Sequence, residues 1–141
     1  WVGDNNPLLM NDERFSPAGV LAPKNASDLA FTMHMLSYLS NQGTAAIVEF
    51  PGVLYRGGPE KKIREYKIRE YLVKENFIDC VIALPDNLFF GTNIATCILV
   101  LKKNKKDDTT LFIDASKEFL KEGKKNKLKA HNREKILQTY I

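Results

Sequence analysis

The sequence predicts an α/β domain on a mixed sheet, in which a parallel pair of strands is followed by an antiparallel return. Three observations carry this. "TAAIVEF" (44–50) and "FIDCVIAL" (77–84) are short, almost wholly apolar runs, the pattern of strands covered on both faces. The helical stretch between them, 60–76, is long enough for a right-handed crossover, which makes the two strands parallel. A third run, "IATCILVLK" (94–102), returns after the short connection 85–93, too little chain for a crossover, so it pairs antiparallel with the second. A length of 141 residues suits one domain with a buried core, and 44% hydrophobic with 27% charged residues excludes disordered and fibrous classes.

Residues 1–24 read as an irregular lead-in punctuated by Pro7, Pro17 and Pro23. Trp1 rather than Met opens the chain and "WVGDNNPLLMNDERF" has little periodic pattern, so the expectation is a chain that starts inside a longer protein. An α/β core follows over 25–116. Its first helix lies in "NASDLAFTMHMLSYLSNQG", with Asn25 or Ser27 as cap and Asp28 in the first turn, beside the positive end of the helix dipole. Leu29, Met33, Leu36 and Leu39 recur at helical spacing, and Asn41 and Gly43 end the helix. The strand 44–50 leads into a Gly- and Pro-rich loop, "PGVLYRGGPE".

Helix 60–76 contains "KIREYKIREY", one five-residue unit written twice. Five residues turn a helix by about 500°, so Ile63 and Ile68 lie roughly 140° apart and cannot share one buried face. Ile68 with Leu72 makes the better inward stripe, which predicts the first copy as a solvent-exposed extension. Beyond the third strand, "TTLFIDAS" (109–116) is a further strand. Residues 117–141 read as a basic tail with a short closing helix, "NREKILQTYI", capped by Asn132.

The net charge of +4 is unevenly placed: residues 101–141 hold 12 Lys/Arg against 6 Asp/Glu, residues 1–100 hold 9 against 11. A basic end favours a polyanion such as nucleic acid, with a solvated lysine surface as the plainer account. Cys80 and Cys97 sit in apolar runs with no second Cys or His at ligand spacing, so buried, reduced thiols are expected, and no metal. His34 and His131 likewise have no metal-spaced neighbours and read as structural or solvated. No apolar run approaches the roughly 20 residues of a membrane helix, and no charged-then-apolar leader begins the chain. The expectation is a cytoplasmic protein without a membrane partner.

Strand direction decides where the loops fall. With strands one and two parallel, "PGVLYRGG" and "PDNLFFGTN" both emerge at the carboxyl edge of the sheet, where open α/β sheets bind ligands. The second loop carries Phe89 and Phe90 beside Gly91, Thr92 and Asn93. Turns prefer small polar residues, so two rings there are either packed under the sheet or available to a flat ligand. Tyr55 and Arg56 in the first loop are candidates for contact with a target or with phosphate, or else they shape the loop.

The run "SDLAFTMHMLSYL…GTAAIVEFPGVLYRGG…IREYLVKENFIDCVIALPDNLFFGTNIATCILVLKKNK…LFIDAS" resembles the modification subunit of type I restriction-modification systems, an adenine-N6 DNA methyltransferase. The resemblance covers about residues 1–140, and "LPDNLFFGTNIATCILVLKK" is its most specific piece. It implies a partial class I S-adenosylmethionine-dependent methyltransferase fold, Rossmann-like, with 1–141 as the C-terminal half of the catalytic domain. Such an enzyme swings its target adenine out of the duplex, and an aromatic ring seats it. Stacking on such a ring is worth about 1–3 kcal/mol. In similar enzymes the stacking ring lies several residues before the last strand, which indicates Phe89, with Phe90 as second choice. The resemblance also makes Tyr55, Arg56, Thr92 and Asn93 candidate contacts to DNA or target. Asp28 is a candidate for the cofactor pocket, although the helix dipole alone explains a first-turn carboxylate.

Two parts of the family's chemistry are absent from this sequence. The adenine amino group is positioned by an Asn-Pro-Pro-aromatic motif, whereas Asn6-Pro7 is followed by Leu8 and Leu9. The glycine-rich turn that cradles S-adenosylmethionine is missing too, since no G-x-G occurs. In similar proteins both lie upstream of the position of Trp1. The expectation is therefore that S-adenosylmethionine binds the full-length protein and not this fragment, and that the fragment contains no catalytic residue and methylates nothing alone. Its partners are DNA and the specificity and restriction subunits of a type I complex, and the lysines of "KKNKK" and "KEGKKNKLK" are candidates for touching either. The alternatives are a non-catalytic nucleic-acid or subunit-binding module, and a methyltransferase-like domain acting on RNA or protein.

Overall fold

The computed structural model describes residues 1–3, 5–57 and 61–141, and the side chains of Lys61 and Lys62 are left aside. The expected start of the second long helix at residue 60 lies outside the described residues, as does Gly58 of the first edge loop.

The lead-in is more ordered than its sequence suggests. Asn6 caps a short helix, α1 (Pro7–Met10), its Oδ1 accepting from the N–H groups of Leu8 and Leu9 at 3.0 and 3.3 Å. This gives Asn6-Pro7 a structural duty, because proline suits the first helical position and Asn the cap. Trp1 Nε1 donates to the Ala22 carbonyl at 3.1 Å, and a file of rings runs Trp1, Phe15, His34, Tyr38, each 5.1–5.4 Å from the next. His34 is thus a packing residue of the next helix.

Helix α2 (Asp28–Tyr38) follows Ser27, whose side chain makes no capping bond. It buries Leu29, Ala30, Thr32, Met33 and Leu36. It ends earlier than the expected Asn41 and Gly43: Leu39 is already extended, and a turn closed by Gly43 N–H to Ser40 O at 3.0 Å feeds β1 (Thr44–Glu49). A 3-10 turn (Pro51–Leu54) and then α3 (Lys61–Lys74) carry the chain across. Asn76, at φ 60°, stops α3: Phe77 N–H reaches Leu72 O at 2.9 Å and Asn76 N–H reaches Val73 O at 3.0 Å. That is the left-handed cap that ends many helices. In α3, Ile68 and Leu72 are buried and Ile63 is 44% exposed, as the rotation argument requires. The first repeat copy is nevertheless not wholly a solvent extension. Its Glu65 is 1% exposed, because it neutralises an arginine of the first edge loop.

Strands β2 (Ile78–Ala83), β3 (Cys97–Lys102) and β4 (Leu111–Asp114) complete a four-stranded sheet in the order β1-β3-β2-β4. β2 and β3 pair antiparallel, as the short connection demands, and β4 lies parallel to β2. β1 and β2 run in the same direction but are not neighbours: β3 pairs antiparallel with both and occupies the space the crossover leaves between them. Helices α2 and α3 cover one face, where Leu29, Met33, Leu36, Ile68 and Leu72 meet Leu101. On the other face Cys80, Ile82, Val100 and Ile113 pack against Leu128, Ile136 and Tyr140. Both cysteines are buried and unbonded to each other.

Residues 117–141 form more than a tail. β5 (Leu120–Glu122) and β6 (Lys125–Lys127) make an antiparallel hairpin about Gly123, at φ 64°. Helix α4 (Ala130–Tyr140) then returns to the sheet, its Tyr140 hydroxyl donating to Asp79 at 2.5 Å. Asn132 is the third helical residue rather than the cap. Its Oδ1 accepts from the Lys129 N–H at 2.9 Å, which satisfies the chain from one turn further in. Among the described residues no helix is long and apolar enough to cross a membrane.

Candidate functional site: the carboxyl edge of the sheet

The register places Glu49, Cys97, Ala83 and Asp114 side by side, so the loops after β1 and β2 leave the same edge. A cleft of about 220 Å³ opens there, walled by Asp28, Val48, Glu49, Phe50, Phe89, Thr92 and Thr96. Three parts of the chain contribute: α2 by its first residue, β1 by its last, and the β2–β3 loop by Phe89, Thr92 and Thr96.

The loop that holds Phe89 is anchored at both ends. Leu84 and Pro85 are buried, Leu88 packs against the second core cluster, and Leu84 N–H meets Thr96 O at 3.0 Å. Asn87 N–H bonds Asn93 O at 3.2 Å, closing the loop on itself. Asn87 and Gly91 take positive φ, 56° and 78°, a conformation that Asn tolerates and Gly adopts freely. Between these fixed points Phe89 lies against the cleft at 43% exposure, while Phe90 is 95% exposed. Neither ring is core. Thr92 Oγ1 accepts from Ile94 N–H at 3.1 Å, and Asn93 is exposed.

The first edge loop is organised differently. Arg56 grips the buried Glu65 through Nε at 2.9 and 3.1 Å and through Nη2 at 2.8 Å, and the same Nη2 reaches Asp28 at 3.3 Å. The Glu65 carboxylate holds the guanidinium proton more firmly than in water. Arg69 adds a bond from Nη1 to the Val53 carbonyl at 3.1 Å. Arg56 therefore ties the loop to α3 and to the start of α2, and Asp28 is part of that tie. Tyr55, by contrast, stands 75% exposed on the rim.

Two cleft groups escape a sequence reading. Glu49 ends an otherwise apolar strand and is 5% exposed, and burial pushes its carboxyl up to about 7. The Thr32 hydroxyl donates to it at 2.6 Å. Thr96 Oγ1 is buried with no partner among the described residues. One charged residue at the end of "TAAIVEF" was the available signal for Glu49; nothing in the sequence separates Thr96 from its neighbours. Among the described residues no group of three or more His, Cys, Asp or Glu converges as a metal centre would.

Known proteins share this fold and much of this sequence. The profile of the N-6 DNA methylase family matches residues 1–141. The methylase subunit of the type I restriction enzyme MpnII of Mycoplasma pneumoniae is 53% identical over 141 residues, covering 99% of this chain and 25% of that protein. The MjaVIII methylase subunit of Methanocaldococcus jannaschii is 39% identical over 123 residues, covering 83% of this chain and 20% of that protein. Among solved structures, the type I restriction-modification methyltransferase subunit of Streptococcus thermophilus superposes with a TM-score of 0.89 at 43% identity, over 99% of this chain and 30% of that one. The chain thus spans a quarter or less of the curated relatives. Its mixed sheet is part of a class I S-adenosylmethionine-dependent methyltransferase fold. With the sheet order, the edge loops and these likenesses in agreement, the chain belongs to the N-6 DNA methylase family.

Proposed function

We propose that this chain is the base-receiving part of a DNA adenine methyltransferase of a type I restriction-modification system, and that Phe89 is the seat of the swung-out adenine. The observation that carries the reading is a large aromatic ring held half-exposed against a cleft at the carboxyl edge, on a loop anchored at both ends. Unstacking a base from the duplex costs a few kcal/mol, and stacking on one ring recovers about 1–3 kcal/mol of it. Phe90, projecting into solvent, is the second candidate; Tyr55, Thr92 and Asn93 are rim groups for the target strand. Arg56 and Asp28 act through the shape of the rim, because their charges are engaged with Glu65 and with each other.

No G-x-G follows a strand in this sequence, so S-adenosylmethionine is not assigned to these residues. We place the cofactor's cradle and the Asn-Pro-Pro-aromatic motif in other parts of a longer protein, which supplies the methyl group. On this reading the 141 residues alone bind no cofactor and transfer nothing. The basic C-terminal part suits DNA phosphate, and the specificity and restriction subunits complete the assembly in the cytoplasm, where that DNA is.

The test compares two duplexes with the full-length methylase and its Phe89→Ala variant. One duplex carries the target adenine and the other an abasic site at the same position. Phe89→Ala is expected to weaken binding to the first by about tenfold, the equivalent of one stacked ring, and to leave the second unchanged. An equal loss on both duplexes would remove the base seat from Phe89.

A further inference from the structure

We propose that the β5–β6 hairpin is a clamp on the aromatic loop, with Lys125 and Asn126 as positioning residues for Phe89; the inference deepens the base-seat reading and rests on it. The hairpin has no core of its own to justify it. All three residues of β5 are exposed, and a lone two-stranded hairpin is marginal in water. What fixes it is a set of bonds to a loop nearly 40 residues away. Asn126 donates from Nδ2 to Asp86 O at 3.0 Å and to Asp86 Oδ1 at 3.1 Å, and its N–H donates to Asn87 O at 3.0 Å. Asn87 answers from Nδ2 to Lys124 O at 2.8 Å.

Lys125 completes the device. Its Nζ donates to Asn87 Oδ1 at 2.8 Å and to the Thr92 carbonyl at 2.9 Å, so one ammonium ties the residue two before Phe89 to the residue three after it. The loop is drawn shut at its neck while its tip, Phe89 and Phe90, remains free to meet a ligand. Asn126 is only 7% exposed, and its amide orientation is set by two acceptors on the same aspartate. Asn87 in turn holds a positive φ, a conformation that its bonds to Lys124, Lys125 and Asn126 over-determine. The consequence is preorganisation. A ring already held at the rim loses little freedom when a base lands on it, whereas a ring on an open loop must first be ordered.

The experiment uses the full-length methylase with Asn126→Ala, Phe89→Ala and the double variant. Two signals are read: amide hydrogen exchange over 86–94, and fluorescence of a duplex carrying 2-aminopurine at the target. Asn126→Ala is expected to speed exchange over 86–94 by about tenfold, as befits a lost buried hydrogen bond, and to leave 97–102 unchanged. It is also expected to lower the fluorescence, while adding nothing to the loss caused by Phe89→Ala alone, because it acts through that ring. Unchanged exchange over 86–94, or losses that add in the double variant, would overturn the clamp. If Phe89→Ala alone leaves fluorescence intact, the base seat fails instead, and the exchange data still decide the clamp. Should Asn126→Ala not accumulate as folded protein, Lys125→Met is read against the same outcomes, with Lys125→Arg expected to restore them in part.

Discussion

The two loops at the carboxyl edge are built on opposite principles. The loop after β1 is held by charge: Arg56 spans from the buried Glu65 to Asp28, so the strongest electrostatic group on that side is committed inward. The loop between β2 and β3 is held at its neck with no ion pair among the described residues, by hydrogen bonds to amide and carbonyl oxygens from the Lys125 ammonium and from amides. It turns its two large rings outward, with Phe89 43% and Phe90 95% exposed. The contrast separates residues that make the rim from residues that use it. An arginine in an edge loop invites a phosphate-binding role, but here its Nε and Nη2 already have acceptors in Glu65 and Asp28. Exposed aromatic area on a fixed loop is the feature left without an internal explanation.

That contrast can be broken by substitution, beginning with the largest effect. Arg56→Ala leaves Glu65 buried without its partner, and the expected cost is about 3–5 kcal/mol of stability, read as a lower urea midpoint. A loss below about 1 kcal/mol would mean that the loop is not held by charge and would free Arg56 for a ligand.

Next is Glu49, on the cleft wall between the loops. Its folded carboxyl titrates near 7, above its ordinary range, so the folded state keeps a proton that the unfolded chain releases. Stability therefore falls as pH rises through the window between the ordinary carboxylate range and about 7, and Glu49→Gln removes that slope. The variant is expected to match the parent near pH 4 and to exceed it above pH 7, by up to about 3 kcal/mol. Parallel stability curves for the two proteins across that window would show that the carboxyl titrates normally.

The aromatic loop should respond in the reverse sense. Phe89→Ala is expected to cost less than about 1 kcal/mol of stability, since the ring is half-exposed, and yet, in the full-length methylase, to slow methylation of cognate DNA by about tenfold or more. A melting temperature lowered as much as by Arg56→Ala would make Phe89 a packing residue and erase the contrast. The smallest effect belongs to Phe90→Ala, with stability within about 0.5 kcal/mol of the parent and a rate loss smaller than that of Phe89→Ala. A larger rate loss at Phe90 would move the base seat one residue along.

The sequence made the edge itself legible. A crossover-length helix followed by a short return leaves one choice of strand direction, and direction alone brought Tyr55, Arg56, Phe89 and Thr92 to one rim. Neighbour order was not legible, because a short connection tells that β3 pairs with β2 and not what lies on its other side. The hairpin 120–127 was invisible for a physical reason. Lys121, Glu122, Lys125 and Lys127 give no apolar alternation, and the order comes from bonds to Asp86, Asn87 and Thr92 that no local pattern encodes. Glu65 misled for a related reason: a glutamate in a charged helix reads as solvated until the arginine opposite it is known. Asn6-Pro7, discounted as a catalytic motif, found its explanation in the cap of α1.

The claim beneath all of this is that the 85–93 loop seats an extruded base on Phe89. Time-resolved fluorescence of 2-aminopurine at the target position, in duplex bound to the full-length methylase, tests it most directly. The account predicts a bright, long-lived population of extruded 2-aminopurine with the parent protein, held there by stacking on the ring, and a smaller one when Phe89→Ala is bound, where the base has lost its seat. Decays that are identical for the two proteins would contradict it.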